Sequence, residues 1–116
     1  MLSKLMSLLR GRGILVQGTA KLREGQSKCV ALGDPLAGGV EVVLCRVGGK
    51  LHALDRRCPH EGGRLTDGPL VDGKYAMCPL HNYKFDPATG RAIDVACSDA
   101  RRYTLREENG DAQIWI

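Results

Sequence analysis

Two short motifs in the second half of the chain each pair a cysteine with a histidine. The first is Cys-x-His, formed by Cys58 and His60, and the second is Cys-x-x-His, formed by Cys78 and His81. Seventeen residues separate the two motifs. Thiolates and neutral imidazoles are ligands for both iron and zinc. The motifs therefore predict a metal centre with two sulfur and two nitrogen donors.

This donor set is compatible with two kinds of metal centre. A [2Fe–2S] cluster can be held by two cysteines and two histidines, in contrast to an all-cysteine ferredoxin cluster. A structural zinc ion also takes this set, but zinc motifs usually group like ligands, with cysteine beside cysteine and histidine beside histidine. The mixed spacing in this chain favours the iron–sulfur cluster. A zinc-stabilised binding module remains the chemical alternative.

The elements that must position these donors are predicted to be β-strands. The chain has 116 residues, the usual size of one domain, and combines 15 glycines with short apolar runs. These features predict an all-β fold, as a single domain over residues 1–116. Its base is expected at about 14–55 and 91–116. A loop-rich cluster-binding subdomain is expected at about 56–87, inserted in the second half.

Individual strands are predicted where β-branched or alternating runs are bounded by turn residues. The predicted strands are residues 14–22, 27–32, 40–47, 50–54, 69–71, 75–77, 84–86, 91–94, 102–107 and 112–116. Tight turns are expected at Gly48–Gly49, Asp72–Gly73 and Asn109–Gly110. Leucines at helix-like spacing predict a short helix or a tail over residues 1–13 rather than a signal peptide.

Cysteine usage and charge limit the compartment and the partners. Five cysteines at irregular spacing are not typical of a secreted disulfide framework, so a reducing, cytoplasmic location is expected. No run reaches the ~18 apolar residues needed to span a bilayer. The net charge of +4 is too mild to indicate a nucleic-acid partner. Arg56–Arg57 and Arg101–Arg102 are interpreted as solvated surface or as a docking patch for an acidic redox partner.

The metal-binding segment resembles the Rieske [2Fe–2S] family, and more closely its soluble ferredoxin branch, over about residues 50–94. The matching pieces are CPHEGG at 58–63, CPLHNYKFD at 78–86 and PATG at 87–90. The resemblance implies a Rieske-like fold, an antiparallel β-sandwich or barrel, with one [2Fe–2S] cluster. It also implies that Cys58 and Cys78 hold a buried iron. His60 and His81 would then hold an outer iron near the surface.

Prolines and glycines in both motifs are expected to shape the ligand loops. Pro59 and Pro79 restrict φ beside the ligands and stiffen the two loops. Gly62 and Gly63 let loop amides approach the cluster sulfides, because no side chain stands in the way.

Four further positions distinguish this chain from the high-potential members of the family. Gly63 and Leu80 stand where those members carry two extra cysteines that form a disulfide. Tyr83 and Phe85 stand where they carry a serine and a tyrosine whose hydroxyls hydrogen-bond to the cluster. Fewer such hydrogen bonds stabilise the reduced cluster less, so a low reduction potential is expected.

The remaining cysteines and the third histidine are predicted to have structural roles. Cys29 and Cys45 lie in predicted strands, and His52 lies in the return strand of a hairpin. Cys97 lies in residues 95–100, which lack the proline of the loop that covers the cluster in many family members. Cys97 is interpreted as an inert core thiol.

The resemblance implies a soluble one-electron carrier between a reductase and an oxygenase or similar terminal enzyme. No catalytic residues are predicted, because the histidines outside the cluster do not supply a 2-His-1-carboxylate set for a mononuclear iron. The carrier is expected to be a monomer. The alternative is a small subunit bound permanently to a larger oxidoreductase, such as a nitrite reductase.

Overall fold

The computed structural model of the protein describes residues 13–60 and 62–116. Apart from Gly13, the segment predicted to be a helix or a tail lies outside the described residues. Within the described part the strands are β1 (Ile14–Val16), β2 (Gln26–Leu32), β3 (Val40–Val47), β4 (Lys50–Asp55), β5 (Gly68–Pro69), β6 (Ala76–Cys78), β7 (Tyr83–Phe85), β8 (Arg102–Glu108) and β9 (Asp111–Trp115). Two 3₁₀ turns accompany them, at Thr19–Lys21 and Pro35–Ala37. The all-β prediction is confirmed.

The strands form one large sheet and one small hairpin. Seven strands pair in the order β1-β9-β8-β4-β3-β2-β5, every pair is antiparallel, and the sheet curls into a half-barrel. Strands β6 and β7 form a separate two-stranded antiparallel sheet. The proposed division into a base and an inserted subdomain stays a prediction. No helix in the described part of the chain is long and apolar enough to cross a membrane.

Strand β3 contributes to two separate hydrophobic cores because its successive side chains point to opposite faces of the sheet. Val43 and Cys45 face one core, and Val42 and Leu44 face the other. We call the first the ligand-side core, since it includes Cys58 and Cys78. The other buried members of the ligand-side core are Leu54, Leu65, Leu70, Ala76, Phe85 and Ala100. The second, which we call the base core, is completed by Leu32, Leu51, Ala53, Tyr103, Ala112 and Ile114.

Three predicted strands are wrong in extent or in kind. The strand predicted over residues 69–71 shares only Pro69 with β5, and Val71 forms an isolated bridge with Tyr75. The strand predicted over residues 14–22 ends at Val16, because Gly18 adopts a left-handed φ of 73° and a 3₁₀ turn follows. The segment 91–94 is not a strand, and only Ala92 bridges to Phe85. Asp94 has a φ of 60°, which takes the chain out of the extended conformation. The Asn109–Gly110 hairpin turn is confirmed, with both residues at positive φ.

Candidate metal centre

The first ligand loop, residues 58–63, is closed at its neck by backbone hydrogen bonds. The Cys58 N–H donates to the Gly63 carbonyl at 2.7 Å, and the Leu65 N–H donates to the Arg56 carbonyl at 2.7 Å. Between these two bonds, Arg57 and Arg64 oppose each other in an antiparallel bridge. The loop is therefore held in shape by a short ladder at its base.

The second ligand loop, residues 78–83, connects β6 to β7. Cys78 and Tyr83 pair across the hairpin, and Asn82 takes the left-handed conformation that a tight reversal needs, with a φ of 56°. The Thr66 N–H donates to the Met77 carbonyl at 3.0 Å, which ties this hairpin to the chain that follows the first loop. The two loops are thus fixed beside each other.

The two sulfur donors lie together at the buried side of the loops. Cys58 is 3% exposed and Cys78 is 1% exposed, and the two thiols interact directly. Burial, together with the neighbouring Cys78 thiol, raises the pKa of Cys58 to about 11, although the His60 N–H that points at its Sγ at 3.4 Å acts in the opposite direction. A positive metal centre would stabilise the thiolates that this environment disfavours.

The two nitrogen donors lie together at the outer side. The Nδ1 atoms of His60 and His81 are 3.3 Å apart, and the ring centroids are 4.8 Å apart. His60 is half-buried and His81 is exposed. Two nitrogens bound at about 2.1 Å to one tetrahedral metal lie about 3.4 Å apart. The imidazole pair therefore has the spacing of two ligands of a single metal ion.

The grouping of donors by type distinguishes a two-iron cluster from a zinc site. A structural zinc ion needs four donors around one point. Among residues 13–60 and 62–116, no three His, Cys, Asp or Glu side chains converge in a way that could hold one metal ion. A thiol pair on the inside and an imidazole pair on the outside fit a cluster in which each iron takes one pair.

Tyr83 and Phe85 lie on β7, at the end of the second loop. The Tyr83 ring stacks on the His60 ring, with centroids 4.2 Å apart and planes inclined by 22°. It is more distant from His81, at 6.1 Å. Phe85 is completely buried in the ligand-side core. Tyr83 therefore packs against the imidazole of His60, and Phe85 packs in the same buried core as the two thiols.

The loop prolines and glycines occupy the rim of the site. Pro59, Pro79 and Gly62 are exposed, and Leu80 is 52% exposed. A Cβ on Gly63 would overlap Cys78 Sγ and would lie 3.3 Å from Leu80 Cβ. Positions 63 and 80 thus face each other, as the positions of a bridging disulfide must. In this chain the close approach is possible because residue 63 is glycine.

The other predicted residues lie apart from the donors or at their edge. Cys45 is fully buried, and burial raises the pKa of its thiol to about 12. Cys29 and Cys97 are half-buried and pack against the ligand-side core. His52 lies opposite Cys45 in β4, where burial lowers the pKa of its imidazole. All these positions agree with structural roles.

A family model for the Rieske [2Fe-2S] domain matches residues 14–106, which is most of the chain. The chain belongs to the Rieske [2Fe-2S] family. The ferredoxin component of the naphthalene 1,2-dioxygenase system of Pseudomonas putida is 35% identical over 91 residues, covering 71% of this chain and 86% of the relative.

Solved structures agree with this membership. The ferredoxin of Sphingomonas yanoikuyae B1 superimposes with a TM-score of 0.66 at 27% identity, covering 90% of this chain and 96% of that one. The ferredoxin of carbazole 1,9a-dioxygenase from Nocardioides aromaticivorans IC177 gives a TM-score of 0.73 at 23% identity, covering 90% and 97%. The second likeness shows the shared fold.

Family membership confirms the cofactor and the class of protein. The Rieske domain implies a Rieske-type [2Fe–2S] cluster. The relatives from Pseudomonas putida and Escherichia coli are a ferredoxin component and a ferredoxin subunit of dioxygenase systems, and such components transfer electrons and are not the catalytic enzymes. This Rieske protein is accordingly an electron carrier, as predicted.

Sequence reasoning missed a buried network that joins β8 to the base of the first ligand loop. Tyr103 donates its hydroxyl to Asp55 Oδ2 at 2.6 Å, and the Arg57 N–H donates to Asp55 Oδ1 at 2.8 Å. Burial raises the pKa of Asp55, but the hydrogen bonds from Arg57 and Tyr103 outweigh it, so the pKa lies below its ordinary value. No local pattern reveals this contact, since 48 residues separate its partners.

Removing the Tyr103 hydroxyl from this Rieske domain is expected to lower its stability. Tyr103→Phe deletes a hydrogen bond to a buried carboxylate, which is worth about 1.5–3 kcal/mol. Because the folded pKa of Asp55 is depressed, this stabilisation is present above the unfolded pKa and is lost as the pH falls through the folded pKa. Guanidinium unfolding near pH 7 and near pH 3 measures the difference, which should shrink in acid. Equal stability of the two proteins near neutral pH would contradict the expectation.

The reduction potential of this Rieske protein is expected at roughly −150 mV, the low end of the range for such centres. Phe85 is buried beside the thiols and has no hydroxyl to donate to a cluster sulfide. The Phe85→Tyr variant adds that donor, so its potential should be higher than that of the wild type. Protein-film voltammetry on both proteins tests this, and a wild-type value well above 0 mV would be incompatible with it.

Proposed function

We propose that Cys58 and Cys78 bind the inner iron of the cluster and that His60 and His81 bind the outer iron through Nδ1. The observation that carries this assignment is the 3.3 Å separation of the two Nδ1 atoms beside a pair of buried thiols. The buried side supplies two soft anionic ligands, and the exposed side supplies two neutral ones. The assignment concerns Nδ1 of each imidazole and makes no statement about Nε2.

The arrangement suits one-electron transfer at the surface. When bound, the cluster supplies a centre that takes up and releases one electron. Neutral imidazoles donate less charge than thiolates, so reduction is favoured on the side that His60 and His81 hold. His81 is exposed, and the exposed Pro79 and Leu80 adjoin it in the second loop. The chain itself therefore brings the electron to an accessible edge, while the buried thiols hold the cluster from beneath.

The partners follow by analogy with the relatives. The Pseudomonas putida relative is named as a component of a dioxygenase system. By the same logic, this chain accepts one electron from a reductase and passes it to a terminal oxygenase or similar enzyme in the cytoplasm, as a mobile monomer. Gel filtration of the protein from its native source tests whether it is a mobile monomeric carrier. Stable co-elution with a large oxidoreductase would indicate a permanent small subunit instead.

Electron paramagnetic resonance of the dithionite-reduced protein tests the ligand assignment. A rhombic signal with an average g value below that of all-cysteine ferredoxins is expected, because two of the ligands are imidazoles. Nitrogen hyperfine coupling from two histidines should accompany it and should be lost in His60→Ala and His81→Ala but kept in His52→Gln. Stoichiometric zinc in a colourless protein would refute the assignment.

A further inference from the structure

We infer that the protein docks an acidic redox partner through a face beside the first ligand loop, which we call the arginine–leucine face. It is defined by Leu36, Arg57 and Arg64. The inference rests on the proposed electron-transfer function. It adds the location of the partner's binding site on this protein and the acidic character of the partner's surface.

The two arginines flank the ligand loop directly. Arg57 precedes Cys58, and Arg64 follows Gly63, so their bridge closes the loop that carries Cys58 and His60. Their side chains are 74% and 65% exposed. Like charges placed directly opposite each other across a strand pair destabilise the pairing. This chain therefore keeps two like charges opposite each other at the neck of the ligand loop, although the Arg57 side chain also donates to Asp55.

Nearby carboxylates neutralise this charge only in part. Asp55 pairs with Arg57, with an N–O distance of 3.2 Å. Glu41 is shared between Arg56, at 2.8 Å, and Arg64, at the longer distance of 3.6 Å. Among the residues that the structure describes, three arginines thus line an open cleft of about 490 Å³ together with two carboxylates. Guanidinium groups suit such a place, because their planar donors bind carboxylates in a bidentate manner.

Leu36 is an exposed apolar side chain at the edge of the same cleft. Its side chain is 97% exposed, and Gly39 and Val40, which follow it in the chain, line the cleft. A single exposed leucine is ordinary on a protein surface. This leucine differs because two hydrogen bonds to Asp34 fix the turn that carries it. Asp34 Oδ1 accepts the Leu36 N–H at 2.9 Å, and the Asp34 carbonyl accepts the Gly39 N–H at 2.7 Å.

The position of the face explains why an acidic partner fits it. The turn between β2 and β3 lies at the same end of the sheet as the last residue of β4, since Leu32 pairs with Val40 and Val42 pairs with Asp55. That end leads directly into Cys58. A partner with carboxylates around an apolar centre would be attracted by the arginines, seated on Leu36 and held beside the cluster loop.

Electron-transfer kinetics with two protein acceptors of opposite charge test this inference. The dithionite-reduced protein is mixed by stopped flow with plastocyanin, an acidic acceptor, or with cytochrome c, a basic one. The test variants are Arg57→Gln/Arg64→Gln and Leu36→Ser. The matched control is Arg23→Gln/Lys50→Gln, which removes two exposed charges at the opposite end of the sheet. Visible absorption confirms equal cluster content in every protein.

The expected result separates charge from apolar contact. At low ionic strength, Arg57→Gln/Arg64→Gln should slow the reaction with plastocyanin by about fivefold or more, and the loss should vanish at high salt. Leu36→Ser should slow it at both salt concentrations, because an apolar contact is not screened. Cytochrome c should be reduced no more slowly by either variant than by the wild type.

Two outcomes would overturn the inference. One is an equal loss of rate with plastocyanin in the control and in Arg57→Gln/Arg64→Gln, which would reflect net charge alone. The other is an unchanged rate in the arginine and Leu36 variants. Failure of the proposed function gives a different result, because then the reduced wild-type protein would pass electrons to neither acceptor.

Discussion

Replacing Cys58 or Cys78 with serine is expected to lower the cluster content of the purified protein by more than tenfold. The two thiols lie side by side in the ligand-side core, where we propose that they bind the inner iron. Changes to groups that only support a metal ligand already lower metal affinity by about 10–100-fold, and loss of the ligand itself should exceed that. Iron and acid-labile sulfide per chain, with visible absorption, provide the measurement.

The other cysteines of the chain supply the matched controls. Cys97→Ser and Cys29→Ser make the same chemical change at thiols that pack against the same core without belonging to the donor pair. Both should retain the cluster, and Cys97→Ser is the stricter control because Cys97 lies close enough to influence the Cys58 thiol. Loss of the cluster in Cys97→Ser, with retention in Cys58→Ser, would reassign the inner ligand.

Replacing Arg46 with methionine is expected to destabilise the folded protein by about 3–5 kcal/mol, because it removes the charged partner of a partly buried carboxylate and leaves that carboxylate only the hydrogen bond from Thr19 Oγ1 among the contacts described. Arg46 is 9% exposed at its side chain, and its guanidinium binds both oxygens of Glu107, at 2.5 and 2.7 Å. It also donates to the carbonyls of Thr19 and Leu22 at 2.8 and 3.0 Å. The pair therefore joins β3, β8 and the 3₁₀ turn after β1. Denaturant unfolding of the cluster-loaded protein measures the loss.

The ion pair between Arg106 and Glu108 on β8 provides a control, because replacing Arg106 also removes an arginine but from an exposed pair. Arg106 and Glu108 are 3.2 Å apart but 37% and 52% exposed, so Arg106→Met should change stability by less than about 1 kcal/mol. Replacing both Arg46 and Glu107 with apolar residues should recover much of the loss. Equal effects of Arg46→Met and Arg106→Met would show that burial of the pair has no energetic importance.

The pH dependence of this ion pair has a defined sign. The hydrogen bond from Arg46 holds the pKa of Glu107 below its usual value. The pair therefore stabilises the fold above the unfolded pKa of about 4.3, and this stabilisation is lost as the pH falls through the lower folded pKa. The difference between wild type and Arg46→Met should accordingly diminish in acid.

Local sequence patterns predicted the elements whose conformation is decided locally. Strand β3, from Val40 to Val47, and the turn at Asn109–Gly110 have the predicted bounds, since β-branched runs and a left-handed Asn-Gly pair specify them without tertiary help. The strand predicted over 91–94 was wrong because the positive φ of Asp94 depends on how the loop packs, which the alternation of side chains does not encode.

Contacts between residues that are distant in the chain could not be predicted from the sequence. The four donors were predicted from their types and spacing, and their grouping by type was implied only by the family resemblance. The pairing of Asp55 with Tyr103 and of Arg46 with Glu107 joins residues 48 and 61 positions apart. Such partners are chosen by the register of the sheet, and one sequence offers many aspartates, glutamates and arginines that could have filled each role.

The division of the interior into two cores means that metal binding and folding are linked in only one half of the molecule. The thiols of Cys58 and Cys78 are themselves members of the ligand-side core, whereas the base core, around Leu44 and Ile114, contains neither. If Cys58 and Cys78 bind iron as proposed, the free energy of binding stabilises the hairpin of β6 and β7 and the first loop. Amide hydrogens there should exchange with solvent at a rate that follows iron occupancy. Those of β9, whose buried Ala112 and Ile114 lie in the base core, should follow the stability of the sheet alone.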